Sequence, residues 1–316
     1  MKPFRFGIIG AGAIAHKFCE AVRLAGFEAA AVSSKSPERA AAFAKEENIP
    51  ASFGDYAAML DQAELDAVYI ATTHNFHYEN IMLCLSRKMP VLCEKPMACT
   101  KAEAKAVFAE AEKQGVFVME AMWSRFLPQI QRAREWVKEG RIGQVELAHS
   151  VVAFRADYNP QSRLFNPELA GGAMWDVGVY ALEVLTYLLG ENPREVQTMV
   201  SRAESGADKT GAALMRFSNC LASAQTSVMT CTNEGITLGG TEGYIWLPHA
   251  NTGNEAFLYN RQKELTEHFK EEYPNGFVRE VEETARCVRE GLLQSPVVPW
   301  EDTIWCAGVF DQALGK

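Results

Sequence analysis

Three polar side chains stand where they could take part in a reaction. Lys95 belongs to Glu94-Lys95-Pro96, which follows an apolar run that predicts a strand ending at Cys93. Asp176 and Tyr180 are four residues apart in an apolar stretch, so on a helix they share one face. An ammonium can stabilise developing negative charge, and a carboxylate and a phenol can hold and transfer protons. Judged singly, these residues are also compatible with a surface lysine, a helix-capping aspartate and a tyrosine in the core.

A glycine-rich turn near the N-terminus has the spacing of a phosphate-binding loop. The segment Gly10-Ala11-Gly12-Ala13-Ile14-Ala15 reads G-x-G-x-x-A. It follows a predicted strand over Phe4 to Ile9 and opens a predicted helix over Ala13 to Ala25, which is the context that a dinucleotide loop requires. The glycines permit a tight turn and a close backbone approach to the pyrophosphate, whose charge the helix N-terminus attracts. We therefore predict that a dinucleotide is bound by Gly10, Ala11, Gly12, Ala13 and Ile14.

The residues after the second predicted strand indicate which dinucleotide is bound. Enzymes that use NAD place an acidic residue there, against the ribose hydroxyl. In this chain the strand ends at Val32 and is followed by Ser33, Ser34 and Lys35, with Arg39 one helical turn further on. Hydroxyls and cations suit a 2′-phosphate. The sequence therefore predicts NADP as the cofactor, bound by these two serines and two cations, with NAD as the alternative.

The elements that must position these residues alternate regularly in the first third of the chain. Strand and helix patterns follow one another up to Met119, and Ser36-Pro37 and Thr100 supply helix-starting signals. Such alternation is typical of a parallel sheet with helices on both faces. Lys95 would then lie at the carboxyl end of a strand, where sheets of this kind bind ligands.

The pattern changes near Trp123. Successive strands with few helices between them follow, which predicts an antiparallel or mixed sheet. The predicted strands cover 145–154, 195–202, 212–217, 221–229, 235–238 and 243–247, and the predicted helices cover 128–139, 177–189, 278–292 and 302–314. We expect an α/β chain of two domains. Residues 1–122 would form a doubly wound Rossmann domain, and 123–316 an α+β domain with a large open, mostly antiparallel sheet for substrate binding and dimerisation.

Composition limits the partners of the chain. Its 316 residues carry 31 Lys+Arg against 40 Asp+Glu, a formal net charge of −9, which argues against nucleic acid or an anionic membrane as a partner. The eight cysteines form no C-x-x-C pair and no zinc spacing, so we expect buried thiols and no metal site. No apolar run reaches the ~18 residues of a membrane span, and the N-terminus shows no signal-peptide pattern. The cytoplasm is therefore the expected compartment.

Five segments together resemble a known family of oxidoreductases. They follow the family order over more than half of the chain: GIIGAGAIA at 7–15, ATTHNFHYE at 71–79, EKP at 94–96, MEAMWSRFLP at 119–128 and FRADYNPQSRLFNPELAGGAMWDVGVYAL at 154–182. The chain resembles the glucose–fructose oxidoreductase, inositol dehydrogenase and rhizopine-catabolism (Gfo/Idh/MocA) family, in particular its dihydrodiol dehydrogenase-like branch. The resemblance implies a Rossmann domain followed by a domain with a large open sheet, with the substrate held over the nicotinamide between them.

The resemblance also implies roles for particular residues. Lys95 matches the catalytic lysine of the family and Asp176 the aspartate of its catalytic helix. The position four residues further on, often histidine in inositol dehydrogenase-like members, is Tyr180 here, which favours the dihydrodiol and glucose–fructose branches. His77 is equally compatible with an exposed position at a helix start. The family pattern places Thr72, Thr73, His74, His77, Glu94 and Lys95 in the dinucleotide groove, Trp123, Phe154 and Tyr180 in the substrate pocket, and Arg125 and Arg163 as clamps on the cofactor or a partner subunit.

These observations predict an enzyme, although a second class of protein has the same fold. We expect an NADP(H)-dependent oxidoreductase that moves a hydride to or from a hydroxyl-bearing carbon of a sugar, diol or related carbonyl compound. Tyr180 would exchange the hydroxyl proton, a nearby Lys95 cation would lower the pKa of the phenol, and Asp176 would orient Lys95 and the substrate. The alternative is a non-catalytic dinucleotide-binding sensor, which the presence of all three residues disfavours. A large sheet with one uncovered face also predicts a homodimer.

Overall fold

The computed structural model describes residues 2–316, which divide into two compact units. The first unit consists of the chain up to Ala98 together with Ala102–Trp123 and Asn275–Thr303. The second unit consists of Cys99–Lys101, Ser124–Pro274 and Ile304–Lys316. Each unit is built around its own sheet.

The first unit contains a six-stranded parallel sheet. Its strands β1 to β6 are Arg5–Ile9, Glu28–Ser33, Ala51–Phe53, Ala67–Ile70, Val91–Glu94 and Val118–Ala121. They lie in the order β3-β2-β1-β4-β5-β6, and every neighbouring pair is parallel. The apolar strands β4 and β5 are buried along their whole length, as expected for central strands covered on both faces. This strand order confirms the predicted Rossmann fold.

Five helices follow or connect these strands. They are α1 (Ala13–Leu24), α2 (Pro37–Glu47), α3 (Tyr56–Gln62), α4 (His77–Leu85) and α5 (Lys101–Gln114). The predicted start of α2 is confirmed, because the Ser36 side chain accepts a hydrogen bond from the Arg39 N–H and Pro37 occupies the first turn. The carboxyl ends of parallel strands meet at one edge of a sheet, so the turns after β1, β2, β4 and β5 lie along the same edge.

The second unit contains an eight-stranded sheet. Strands β7 to β14 are Val145–Ala153, Glu195–Arg202, Asp208–Arg216, Leu221–Ser227, Gly235–Gly240, Gly243–Pro248, Glu255–Asn260 and Leu265–Lys270. Their order is β14-β13-β12-β11-β7-β10-β9-β8. Only β7 and β10 pair in parallel, and the other neighbouring pairs are antiparallel. The predicted, mostly antiparallel sheet is therefore confirmed.

Helices pack on one face of this second sheet. α6 (Pro128–Lys138) contacts β12 and β13, and α7 (Val179–Leu189) contacts β7 and β10. Side chains alternate between buried and exposed along most of β9, as they do when a strand has one face in a core and one toward solvent. Large apolar side chains are exposed on the four neighbouring strands β7, β10, β9 and β8: Leu147, Leu221, Leu214 and Met199.

The C-terminal part of the chain does not stay within one unit. α8 (Val278–Arg289) belongs to the first unit, whereas the predicted division assigned all residues from 123 onward to a second domain. α8 is strongly amphipathic and packs against α1, so a helix distant in sequence completes the first unit. The last helix, α9 (Trp300–Leu314), contributes residues to both units.

Short or polar elements escaped prediction. They are β3, α3, β13 and β14, together with the short 3-10 turns at His74–Phe76, Trp123–Phe126 and Pro167–Leu169. β3 has only three residues and β14 is largely exposed, so neither shows the apolar periodicity that predicts a strand.

Candidate active site

The predicted phosphate loop lies at the carboxyl end of β1. Gly10 has φ +106°, and a Cβ built there would lie 2.8 Å from the Ala71 carbonyl oxygen, so this turn requires glycine. The Gly10 N–H donates to the Ser33 carbonyl at 2.9 Å, which ties the turn to the end of β2. Gly12, in contrast, has open space where its Cβ would be. The turn therefore has one glycine that the backbone requires and one that leaves room for a ligand.

The N-terminus of α1 faces this turn without a competing side-chain acceptor. Gly12 is the N-cap residue and makes no side-chain hydrogen bond, and the first turn contains no acidic residue. Arg39 of α2 reaches the same turn, where its guanidinium donates to the Ala11 carbonyl at 3.3 Å. First-turn N–H groups, the helix dipole and a cation all favour an anion. These residues fit the diphosphate of a dinucleotide.

The four residues predicted to determine the preference for NADP over NAD have different environments. Ser33 is fully buried and Ser34 is 6% exposed, whereas Lys35 and Arg39 are exposed. The Lys35 ammonium lies 4.4 Å from the centroid of the Phe76 ring, in a cation–π contact. The two cations are therefore accessible to a phosphate, while Ser33 contributes its backbone carbonyl to the glycine turn.

Lys95 lies at the carboxyl end of β5 and is half-buried, and its peptide bond to Pro96 is cis. The preceding Glu94 accepts hydrogen bonds from the Tyr69 hydroxyl at 2.5 Å and from the Lys95 backbone N–H at 3.2 Å. Burial raises the pKa of Glu94, although the Lys95 cation and the Tyr69 hydroxyl oppose this shift. Glu94 therefore supports the turn that presents Lys95.

A second buried carboxylate, that of Glu120, holds the other side of this turn. Glu120 lies on β6 and is 2% exposed. One of its oxygens accepts from the Met97 N–H at 2.8 Å and the other from the Thr303 hydroxyl at 2.7 Å. Glu120 was not among the predicted site residues, because the predicted strand ended one residue before it. The available signal was a glutamate within an apolar run, since buried carboxylates are generally paired.

His77 connects the turn after β4 to the turn after β5. It is fully buried, and its ring nitrogens lie 2.8 Å from the Pro96 carbonyl oxygen and 3.0 Å from the Thr72 carbonyl oxygen. Burial lowers the pKa of His77 to about 4, so the ring is neutral at pH 7 and donates one hydrogen bond. The exposed alternative for His77 was wrong. Its neighbour His74 is 7% exposed, and Thr72 and Thr73 are half-buried at the same edge.

Two of the three aromatic residues predicted to line the substrate pocket, Trp123 and Phe154, belong to different units. Trp123, in the first unit, is half-buried, and its ring centroid lies 5.4 Å from that of Phe277. Phe154, in the second unit, follows β7 and is 38% exposed, and its N–H donates to the Ser227 carbonyl at 3.0 Å. Both rings offer apolar contact area of the kind that lines small-molecule sites.

Asp176 and Tyr180 lie on a helical segment of the second unit. A π-helical turn over Met174–Gly178 carries Asp176, and α7 begins only at Val179, whereas a regular helix from Val177 was predicted. Asp176 is 7% exposed and accepts a hydrogen bond from the Arg163 guanidinium at 2.8 Å, and Tyr180 is 8% exposed. Asp176 is thus inside the turn and is not a helix cap. Single π-helical turns are frequent at functional sites.

The two arginines predicted as clamps have separate roles. Arg163 is paired with Asp176 and keeps 45% of its side chain exposed. Arg125 is fully buried, with its guanidinium 3.2 Å from the Glu183 carboxylate and 3.4 Å from the Thr186 hydroxyl. The expectation that Arg125 clamps a cofactor or a partner was wrong, because a fully buried side chain does not reach the surface. The ion pair instead anchors α7, the helix on which Tyr180 lies.

Across residues 2–316, no cluster of three or more His, Cys, Asp or Glu side chains is arranged to hold a metal ion. None of the helices in this range combines the length and apolar character needed to cross a membrane. None of the eight cysteines in this range forms a disulfide, and seven of them are buried, so they serve mainly as small core side chains.

A parallel sheet in this strand order, with a glycine turn after its first strand, is typical of dinucleotide-binding proteins. A family model described as an oxidoreductase family with an NAD-binding Rossmann fold matches residues 4–122, and the model of the GFO/IDH/MocA C-terminal domain matches residues 130–246. The chain belongs to the glucose–fructose oxidoreductase, inositol dehydrogenase and rhizopine-catabolism (Gfo/Idh/MocA) family, which confirms the resemblance found in the sequence.

Individual relatives agree with this assignment. A trans-1,2-dihydrobenzene-1,2-diol dehydrogenase from Mus musculus is 30% identical over 98% of this chain and 95% of its own length. A levoglucosan dehydrogenase in complex with NADH and levoglucosan has a TM-score of 0.90 at 19% identity, covering 99% of this chain and 97% of that one. A 3-ketoreductase from Actinomadura kijaniata, in complex with NADP and TDP-benzene, has a TM-score of 0.87 at 23% identity, with coverage of 99% and 97%. The two structural similarities show the fold.

Proposed function

We propose that the chain is an NADP(H)-dependent enzyme that transfers a hydride between the nicotinamide and a hydroxyl-bearing carbon of a sugar, a diol or a related carbonyl compound. The observation that carries this proposal is the carboxyl edge of the first sheet, where the glycine turn follows β1 and Lys95 follows β5. Sheets of this kind bind their ligands at this edge. The names of the relatives, a diol dehydrogenase, a levoglucosan dehydrogenase and a 3-ketoreductase, support substrates with hydroxyl or keto groups.

We assign the protein's part of the reaction to three side chains, while a bound nicotinamide supplies the hydride chemistry. Tyr180 takes the hydroxyl proton of the substrate during oxidation and returns it during reduction. Lys95 donates a hydrogen bond to the same oxygen and stabilises the charge that develops there. Asp176, held by its ion pair with Arg163, orients the substrate hydroxyl. The rings of Trp123 and Phe154 supply apolar contacts to the substrate.

A survey of substrates tests the proposed function directly. The full chain is mixed with NADPH or NADP⁺ and a panel of sugars, cyclic diols and dicarbonyl compounds, and the fluorescence of the reduced nicotinamide is followed. Cofactor turnover that depends on a hydroxyl or keto group of the substrate supports the proposal. Tight cofactor binding without turnover across the panel would contradict it and favour the dinucleotide-binding sensor.

We expect Arg39→Ala to weaken NADPH binding and to leave NADH binding unchanged. A charged hydrogen bond to the 2′-phosphate contributes about 1.5–3 kcal/mol, so the Kd for NADPH should rise roughly 10- to 150-fold. Lys35→Ala should act in the same direction with a smaller effect, because the ammonium gives up its contact with the Phe76 ring when it binds a phosphate. Fluorescence titration with both cofactors measures these changes.

Lys45→Ala is the matched control for this prediction. Lys45 is a cation in the last turn of the same helix, α2, and its removal should leave the affinity for both cofactors unchanged. An equal loss of NADPH and NADH affinity in Arg39→Ala would speak against a 2′-phosphate contact. It would place Arg39 at the diphosphate instead, beside its hydrogen-bond partner Ala11.

We also propose that the chain forms a homodimer through the open face of the second sheet. On this face Leu147 is 62% exposed and Leu214 is 56% exposed, and Leu147 is in register with Leu221 on the adjacent strand. Neighbouring exposed apolar residues on a sheet indicate an interaction surface. A second copy of the chain is the proposed occupant, because a two-fold axis brings the same patch against itself.

Leu147→Glu should therefore convert the dimer to a monomer. A two-fold interface would bury the new carboxylate twice without a partner, which opposes association strongly. Light scattering coupled to size-exclusion chromatography measures the mass in solution. Leu24→Glu, at an exposed leucine at the end of α1, is the matched control and should leave the mass unchanged. A Leu147→Glu protein that keeps the mass of two chains would refute this interface.

A further inference from the structure

Asp208 is a buried carboxylate that none of the proposed reaction steps uses. It lies at the start of β9 and is 1% exposed. Its Oδ2 atom accepts a hydrogen bond from the Met174 N–H at 2.7 Å. Burial raises the pKa of Asp208, and the backbone N–H groups of Met174, Asp208 and Ala173 oppose this shift because they bind the carboxylate. The side chain thus caps the beginning of the helical segment that carries Asp176.

Two glycines allow this close approach between the helical segment and β9. Gly172 has φ +144°, and a Cβ at this position would overlap the Asp208 carboxylate. On the strand, a Cβ at Gly211 would overlap the sulfur of Met174. Side chains at these two positions would therefore push the π-helical turn away from the strand. Gly172, the second glycine of the GGAMWD segment, therefore leaves the space that the Asp208 carboxylate occupies.

β9 gives the Asp208 carboxylate a fixed position. The strand lies between β8 and β10 and pairs with both. The carbonyl oxygen of the next residue, Lys209, accepts two hydrogen bonds. One comes from the Val228 N–H at 3.0 Å and the other from the Ser227 hydroxyl at 3.2 Å. Groups held by paired strands are placed more accurately than groups on loops. Asp208 can therefore hold the helical segment at a fixed position relative to the sheet.

We propose that Asp208 is a positioning residue for Asp176 and Tyr180. Met174, whose N–H it binds, precedes Asp176 by two residues and Tyr180 by six. A π-helical turn is rare and is wider than an α-helical one, so it persists only where other contacts maintain it. Without the carboxylate the turn relaxes toward regular α-helix, and the directions of both side chains change. This inference rests on the proposed function, in which these two residues act on the substrate.

Three variants test the proposal by steady-state kinetics. Asp208→Ala should lower kcat by roughly 100-fold, because a displacement of ~1 Å at a reacting group costs about this much. The Kd for NADPH should be unchanged, since the predicted cofactor contacts lie in the first unit. Asp208→Asn keeps one acceptor for the Met174 N–H and should retain more of kcat. Gly172→Ala displaces the carboxylate without removing it and should also lower kcat.

Hydrogen–deuterium exchange separates positioning from a general loss of stability. In Asp208→Ala the amides of residues 173–178 should exchange faster, while those of α6 and α8 exchange as in the wild type. Asp55→Ala is the matched control, because Asp55 caps α3 in the first unit by accepting the Ala58 N–H at 2.8 Å. This variant loses a comparable cap and should keep the wild-type kcat.

The outcomes distinguish the inference from the function on which it rests. Wild-type kcat in folded Asp208→Ala, or a loss that only follows the unfolded fraction, would refute the positioning role. No turnover by the wild type on any substrate would remove the proposed function, and exchange at residues 173–178 would still decide whether Asp208 holds the turn. If Asp208→Ala does not fold, Asp208→Asn and Gly172→Ala provide the same comparison.

Discussion

Tyr180→Phe is expected to reduce kcat by roughly 10²- to 10⁴-fold, the range for loss of a positioned proton-transfer group. The substitution keeps the aromatic ring, which is 8% exposed at the start of α7, so packing should change little. The Kd for NADPH should be unchanged, because the predicted cofactor contacts belong to the first unit. Steady-state kinetics and a cofactor titration measure the two quantities.

Tyr187→Phe is the matched control on the same helix. The Tyr187 hydroxyl accepts a hydrogen bond from the Gln131 side chain at 2.7 Å, and the residue is 5% exposed. Its removal therefore deletes a comparable hydroxyl from α7 without a role in proton transfer, and kcat should stay at the wild-type value. A Tyr180→Phe enzyme with near wild-type kcat would overturn the proposed role of Tyr180.

Lys95→Met is expected to lower kcat by roughly 10²- to 10³-fold, as does removal of a single group that stabilises transition-state charge. Methionine is close to lysine in length and flexibility, so the half-buried part of the side chain keeps most of its packing. The effect should therefore come from the lost ammonium. The Kd for NADPH should remain largely unchanged, which a fluorescence titration checks.

Two further variants serve as controls for Lys95→Met. Lys105→Met, at an exposed lysine of α5, removes the same charge from the same unit and should leave kcat unchanged. Lys95→Arg keeps the charge but replaces a compact ammonium by a larger planar group, so its kcat should fall between those of the wild type and Lys95→Met. If Lys95→Met turned over substrate as fast as Lys105→Met, the assignment of Lys95 to the reaction would be wrong.

Predictions that depend on neighbouring residues in the chain were the most successful. The strand–helix alternation of the first third predicted the Rossmann sheet, and the G-x-G-x-x-A spacing predicted a tight turn. The structure has this turn, and Gly10 adopts a positive φ in it. The strand over Glu195–Arg202 was predicted with the bounds that it has in the structure. These features follow from side-chain periodicity and backbone sterics, which act over a few residues.

Predictions that depend on distant contacts failed or were absent. Arg125 was expected to clamp a cofactor or a partner subunit and proved to be a buried partner of Glu183, because burial is decided by packing and not by residue type alone. Regular helix was predicted from Val177 to Leu189, yet the segment before Val179 is a π-helical turn held to β9. No local pattern could predict this turn, since its cap comes from another element.

The amino-acid sequence by itself determined the strand–helix order, the family, the glycine turn and the identity of the residues with chemistry to offer: Lys95, Asp176 and Tyr180. Only the tertiary structure decided what holds them in place. Glu120 binds Thr303 across 183 residues of chain, and Asp208 binds the Met174 N–H across 34. The physical reason is that a buried carboxylate must find its hydrogen-bond donors in three dimensions, and folding alone brings those donors to it.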